Sequence, residues 1–304
     1  MKGIKKIDIH AHATLYPNLI PSHKASGSRI PSTEELTEMY DRLDIEMGVL
    51  LPIVSPEGQW SQISVESCKV MADANPDRFV WFCNIDPRSA ENDEHADLGF
   101  LLEHYKKLGA RGVGELTSNM YPDDPKMENL FSCCEEADMP VIIHISPRLG
   151  FNYGIVDDLG LPRLEKVLKN HLKLKIIGHS QPFWAEISGD LTEEIRNDYT
   201  AGKVTDGTLA RLLREYDNLY CDLSAGSGRN ALMRDPEYAA GFLQEFSDRI
   251  LYGCDICATF NTHPFRLNAF LDQLVDEHAL SLENYRKIVR KNAIRLLNLA
   301  DEEK

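Results

Sequence analysis

The sequence predicts an α/β protein: a closed (β/α)8 barrel, or TIM barrel, formed by residues 1–304 as one domain. Three observations carry this reading. Strand-like and helix-like segments alternate along the chain until eight strands are in place, which one chain of this length accommodates as a barrel. Several of those strands (VLLPIV, PVIIHIS, KLKIIGHS) are nearly continuous apolar runs, as parallel strands buried on both faces should be. An open doubly wound sheet would carry a Gly-rich fingerprint after its first strand, and this chain has HAHAT there instead.

The elements follow in order. IKKIDIH is the first strand. STEELTEMYDRLDIEMG reads as a helix, with Ser32 or Thr33 able to cap it and Glu34 or Glu35 in its first turn. VLLPIV is the second strand, and a helix over about 61–74 is closed by Asn75-Pro76. FVWFCNID leads to a helix over about 96–108, and RGVGEL to another over about 125–137. PVIIHIS, LPRLEKVLKNH and KLKIIGHS keep the alternation. A long segment then reaches a helix over about 206–216, followed by NLYCDLS, a helix over about 236–246 and RILYGCDI. The chain closes with LSLENYRKIVRKNAIRLLNL, apolar at helical spacing. No repeat, low-complexity tract or linker divides it.

Charge narrows the function. A formal net charge of −15 and a pI near 5.1 disfavour nucleic acid and anionic membrane as partners. A small-molecule substrate remains, and an anionic one is tolerated where an arginine or a metal reverses the local field. MKGIKKIDIHAH contains no apolar leader, and no apolar stretch is long enough to span a bilayer, so a cytoplasmic protein is expected. The seven cysteines read as reduced core thiols. Cys254 and Cys257 form a C-x-x-C, but a structural zinc needs a second such pair at suitable spacing.

The first strand raises the functional question. His10 and His12 stand one residue apart, and with Asp8 they should share one face of a strand. Two adjacent imidazoles repel if protonated and need separate partners if neutral; a bound cation meets both needs. In a barrel of this type chemistry sits at the C-terminal strand ends. Those ends carry His10 and His12, Glu115, His144, His179, Asp222 with Ser224, and Asp255. Converging at the mouth, such nitrogen and oxygen donors suit zinc or a neighbouring divalent ion.

IDIHAH, VIIHIS, KIIGHS and LYGCDI, in this order and spacing, resemble the amidohydrolase superfamily. Within it they are similar to the amidohydrolase-related branch that holds aminocarboxymuconate semialdehyde decarboxylase, resorcylate-type decarboxylases and small-molecule hydrolases. The resemblance spans the whole chain and implies His10, His12, His144 and Asp255 as ligands of one divalent ion, zinc first and manganese second. His179 would lie beside the metal as an acid/base group, or bind it. No lysine ends the fourth strand, which favours one ion; Glu115 stands there and could hold a second. The resemblance also implies a homodimer. Two chemistries use these residues. In hydrolysis, Asp255 takes a proton from water and His179 stabilises the oxyanion. In non-oxidative decarboxylation, the alternative, His179 or Asp255 protonates carbon. A binding barrel that had lost catalysis would show eroded ligands, and none is missing.

The loops extend the site. HSQPFWAEISGD brings Phe183, Trp184 and Glu186 toward the mouth as substrate contacts. Arg148 and Arg229 follow strand ends, where either could clamp a substrate carboxylate through its fork. SAGSG reads as a tight or flexible loop.

Overall fold

The computed structural model describes residues 3–23, 26–58 and 62–301. Nine strands run through it: β1 (Lys6–Ala11), β2 (Ile45–Leu50), β3 (Phe79–Trp81), β4 (Val113–Leu116), β5 (Val141–Ser146), β6 (Ile155–Val156), β7 (Ile176–His179), β8 (Leu219–Asp222) and β9 (Ile250–Leu251). All pairings between them are parallel, in the orders β1-β2-β3 and β4-β5-β7-β8-β9. Two seams join these arcs into a TIM barrel. Cys83 bridges to Val113 beyond the end of β3, and Ile9 N–H donates to Tyr252 O (3.0 Å) while Asp255 N–H donates to His10 O (2.9 Å). β6 lies outside this circuit, paired only to β5. The eight expected strands are therefore β1 to β5 and β7 to β9.

Helices α1 (Thr33–Leu43), α2 (Val65–Ala74), α3 (Leu98–Lys107), α4 (Pro125–Glu136), α5 (Pro162–Asn170), α6 (Gln181–Ala185) and α7 (Thr208–Glu215) occupy the connections as far as β8. After β8 come α8 (Ala225–Met233) and α9 (Pro236–Glu245). α10 (His263–Asp276), α11 (Leu282–Arg286), a π-helical turn (Lys287–Lys291) and α12 (Asn292–Leu297) complete the chain. Caps behave as the sequence suggests: Ser32 and Glu35 form a reciprocal capping box on α1. Among the described residues no helix is long and apolar enough to cross a membrane.

The inner layer takes Ile7 and Ile9 from β1, Val49 from β2, Ile142 from β5, Ile177 from β7 and Leu251 from β9, with Leu51 and Phe82 just beyond β2 and β3. Ala293 and Leu297 of α12 pack into the same cluster. A larger cluster fills the space between strands and surrounding helices. Five of the seven cysteines are buried in this framework, and none is disulfide-bonded.

Four expectations need correction. The first helix stops at Leu43, where Asp44 takes a left-handed conformation (φ 58°), and Ile45 to Met47 join the sheet beside Lys6 and Ile7. The second strand thus ends before Pro52. The second helix starts at Val65, capped by Ser64, and Ser61 lies outside the described residues. SAGSG is not a loop: Ala225 opens α8. The closing helix is interrupted by the π turn.

Candidate metal centre

The imidazoles of His10, in β1, and His12, just past its end, reach the mouth through an irregularity. Pairing with β2 shifts register between Asp8 and Ala11, and such bulges re-aim side chains. Asp8 therefore does not share the histidines' surroundings. Its carboxylate accepts from Tyr40 Oη of α1 (2.6 Å), from His10 N–H (3.0 Å) and from Cys254 N–H (2.8 Å), tying β1 to α1 and to the end of β9. Burial pushes the Asp8 carboxyl up to about 6 against those donors.

Both histidines have one nitrogen committed outward. His12 Nδ1 lies 3.0 Å from Leu51 O, a pure acceptor, so this nitrogen carries the hydrogen. His10 Nδ1 lies 2.7 Å from Asp222 Oδ2. The two Nε2 atoms then face each other at 3.1 Å, fully buried, and only a positive charge between or beside them makes that contact favourable. Glu115 Oε2 is 3.5 Å from each Nε2, and Asp255 Oδ1 is 3.8 and 3.7 Å from them. Four donors bound about 2.1 Å from one ion in tetrahedral array would stand about 3.4 Å apart. The histidine pair and Glu115 come close to that spacing, and Asp255 lies slightly farther from the two imidazoles.

Electrostatics ask for the same ion. Burial disfavours charge on His10, yet Glu115 and Asp222 outweigh it and raise its pKa well above the imidazole range. Burial likewise opposes charge on Glu115 and Asp222, and the histidines outweigh it, holding both carboxyls below their usual range. With Asp255, three carboxylates surround the imidazoles, a demand that a divalent cation meets better than one proton.

Asp222 organises the rear of the site. Its Oδ2 takes His10 Nδ1, the Ser224 hydroxyl (2.7 Å) and His179 Nδ1 (3.1 Å), while Ser224 Oγ also lies 3.0 Å from His179 Nδ1. His179 Nε2 consequently points inward, 3.9 Å from Glu115 Oε1 and 4.0 Å from Asp255 Oδ2. Gly253 is required here, because a Cβ would stand 2.1 Å from Asp222 Oδ1. Asp255 takes a left-handed φ of 49°, tolerable for an aspartate, and its carboxylate is the partly exposed one of the three.

His144 stands apart from the histidine pair. Its Nδ1 lies 2.7 Å from Glu115 Oε1, and the groups of potential ligands within mutual reach are His10–His12–Glu115, His10–His179–Asp255 and Glu115–His144–His179. His144 lines a cavity of about 190 Å³ together with His179, Asp255, Tyr153, Phe151 and Tyr199. Burial lowers its pKa despite Glu115.

The chain matches the family model for amidohydrolases over residues 7–299. It belongs to the amidohydrolase family. No curated protein matches it. Among solved structures this amidohydrolase is similar to an uncharacterised TIM-barrel protein from Bordetella bronchiseptica (19% identity, 97% of this chain and 99% of that one, TM-score 0.63). It is also similar to a probable 2-pyrone-4,6-dicarboxylic acid hydrolase from Acinetobacter baumannii with citric acid bound (14%, 96% and 99%, 0.60). A third is a dihydroxybenzoic acid decarboxylase from Polaromonas sp. JS666 with manganese and the inhibitor 2-nitroresorcinol (17%, 97% and 97%, 0.60). The chain is thus an enzyme of the metal-dependent amidohydrolase superfamily, and its His and Glu cluster fits a metal.

Three expected substrate contacts lie elsewhere. Phe183 and Trp184 are fully buried: Phe183 occupies the space a Cβ on Gly178 would need, and Trp184 Nε1 donates to Asp222 O (2.8 Å). Glu186 is buried and accepts from Gly160 N–H (2.7 Å). Their proximity to the mouth in sequence was misleading because α6 turns the segment inward after His179. Arg148 is exposed and stacks over Phe151, 4.8 Å from its ring centre. Arg229 on α8 is half-buried near Tyr199 and His263, without a side-chain hydrogen bond or ion pair among the described residues. The sequence places Asp222 among the strand-end donors without a role of its own, and singles out neither Tyr153 nor Tyr199. Asp222 carried a signal, as a carboxylate ending a strand; the tyrosines lie in irregular loops and carried none.

Proposed function

We propose that this chain is a hydrolase acting on a small carboxylated substrate, with one divalent ion held by His10, His12, Glu115 and Asp255 and with His179 beside it. Zinc suits this nitrogen and oxygen set best, and manganese is the next fit. Such an ion supplies Lewis-acid polarisation of a carbonyl and lowers the pKa of a nearby water.

One observation carries the choice of hydrolysis: the groups facing the cavity are set to accept protons. No side-chain hydrogen bond to the Asp255 carboxylate occurs among the described residues, so it is free to take a proton from water. His144 donates through Nδ1 to Glu115, which leaves its Nε2 an acceptor. His179 is held in the same sense by Asp222. Protonation of a carbon, which decarboxylation needs, would require one of these groups to arrive as an acid. Arg229, with no anionic partner, supports a carboxylate on the substrate.

The second reading, non-oxidative decarboxylation, is favoured by Phe151, Tyr153 and Tyr199 around the cavity, which suit a planar ring, and by the several decarboxylases among the structural neighbours. A panel of lactones, amides and aromatic acids assayed with zinc and manganese separates them. Hydrolysis should yield ring-opened or cleaved acid; released carbon dioxide with no hydrolytic product would overturn our reading. Asp255→Asn should keep most of the metal and lose at least about 10²-fold in turnover, the scale for removing a general base.

A further inference from the structure

We propose a second binding site at the opposite end of the barrel, for a small phosphorylated molecule with an apolar body. The N-terminal ends of β1, β2 and β3, together with the π turn and the residues after α12, enclose a cleft of about 1270 Å³. That volume is ample for a drug-sized molecule. The cleft lies at the strand starts, whereas the metal-ligand cluster lies at the strand ends, so the two sites are separated by the length of the barrel.

Its charge runs against the rest of the protein. Six cations and three acids line it, in a chain of net charge −15. Some of these charges are spent on each other: Arg78 pairs with Asp41 at 2.8 Å, and Arg290 pairs with Glu46. Arg111, Arg286 and Lys291 have no ion pair or side-chain hydrogen bond among the described residues, and all three are exposed. Arg78 Nε is buried without a partner. Asp77 is the lining acid left to oppose them. Converging cations that no local acid neutralises raise the concentration of anions in a concave site. Guanidinium forks match phosphate oxygens in pairs.

The floor adds the second requirement. Met47, Val80 and Leu299, all half-buried, line the cleft, so a ligand gains by covering apolar surface as well as by charge. A bare anion would meet only half of what is there. A phosphate ester of an aromatic or aliphatic group meets both.

The experiment is calorimetric titration of the metal-loaded full chain with 1-naphthyl phosphate, and separately with inorganic pyrophosphate. 1-Naphthyl phosphate should bind saturably and more tightly than pyrophosphate. Binding should weaken about tenfold or more in the Arg111→Gln/Lys291→Gln variant, because removing a charge-assisted hydrogen bond to the ligand costs roughly a factor of ten in affinity. It should be unchanged in a His10→Asn/His12→Asn variant, which removes the metal centre as a competing phosphate site. Melting curves of both variants establish that the fold is intact. Absence of saturable binding at 10 mM (about the weakest affinity of interest) overturns the proposal. So does binding that the histidine variant abolishes and the cleft variant leaves intact.

Discussion

Asp222 Oδ2 lies 2.7 Å from His10 Nδ1 and 3.1 Å from His179 Nδ1, so one carboxylate on β8 fixes the tautomer of two imidazoles from β1 and β7. Outward Nδ1–H bonds of this kind keep Nε2 free and raise its basicity toward a metal. Asp222→Asn preserves shape but replaces one of the two accepting oxygens by an amide NH2, which cannot accept, while donors arrive at both. We expect the variant to fold and to bind zinc about 10–100-fold more weakly, the usual scale for losing such a support. A competition titration against a chelator, with a melting curve on the same preparation, measures both. Unchanged affinity would mean the imidazoles hold their orientation by packing alone.

Trp184 supports the same strand from behind. Its Nε1 donates to Asp222 O from a fully buried ring. Trp184→Phe leaves that carbonyl without its donor and opens space in the core. A loss of about 2–4 kcal/mol is expected from the two effects together. In a domain of this size that lowers Tm by several degrees, roughly 2–4 °C per kcal/mol. The Michaelis constant for any substrate should not move, which separates a core residue from a substrate contact.

The barrel was legible in the sequence because its causes are local: apolar runs make buried parallel strands, and caps and glycines punctuate the helices. The clustering of His10, His12, His144 and His179 was legible too, since strand ends of a barrel converge whatever the intervening loops do. What escaped depended on direction. Nothing in DIHAH reveals that a register shift turns His10 and His12 to the mouth while Asp8 bonds Tyr40. Nothing in HSQPFWAE says that α6 faces Phe183 and Trp184 inward. Glu115 and His144 were both visible as strand-end residues, but which of them stands nearer the histidine pair is a matter of a few ångströms.

Asp157 gives the fold a pH dependence away from the metal centre. Its buried carboxylate accepts from the backbone N–H groups of Asp158 (2.8 Å), Arg163 (3.1 Å) and Leu164 (2.7 Å), closing the start of α5. Burial outweighs these donors and pushes its pKa up to about 6. A native pKa above the unfolded value means the folded chain holds the proton more tightly. The resulting stability is fully present below about pH 4 and is lost as pH rises through 6. Asp157→Asn has no proton to lose. The stability of the native protein relative to this variant should therefore fall between pH 4 and pH 7, by on the order of 2 kcal/mol. Urea unfolding of both proteins at several pH values measures the difference, and a flat difference would show that the three N–H donors cancel the cost of burial.

The sharpest expectation separates Glu115 from His144. Resemblance to the family implies His144 as a ligand, yet Glu115 Oε2 stands 3.5 Å from both Nε2 atoms of the histidine pair, and His144 bonds the other oxygen of Glu115. If the ion sits where the pair and Glu115 converge, Glu115→Gln removes a charged ligand and also inverts the hydrogen bond that orients His144. His144→Asn then removes a group that faces the cavity and leaves the ligand atoms in place. We expect Glu115→Gln to lose zinc on dialysis, and His144→Asn to retain close to one ion per chain while its turnover falls by about 10²-fold or more. Elemental analysis after dialysis decides it. The reverse result, metal lost with His144 and kept with Glu115, would mean that the imidazole swings off Glu115 to bind the ion, and that the carboxylate serves only to aim it.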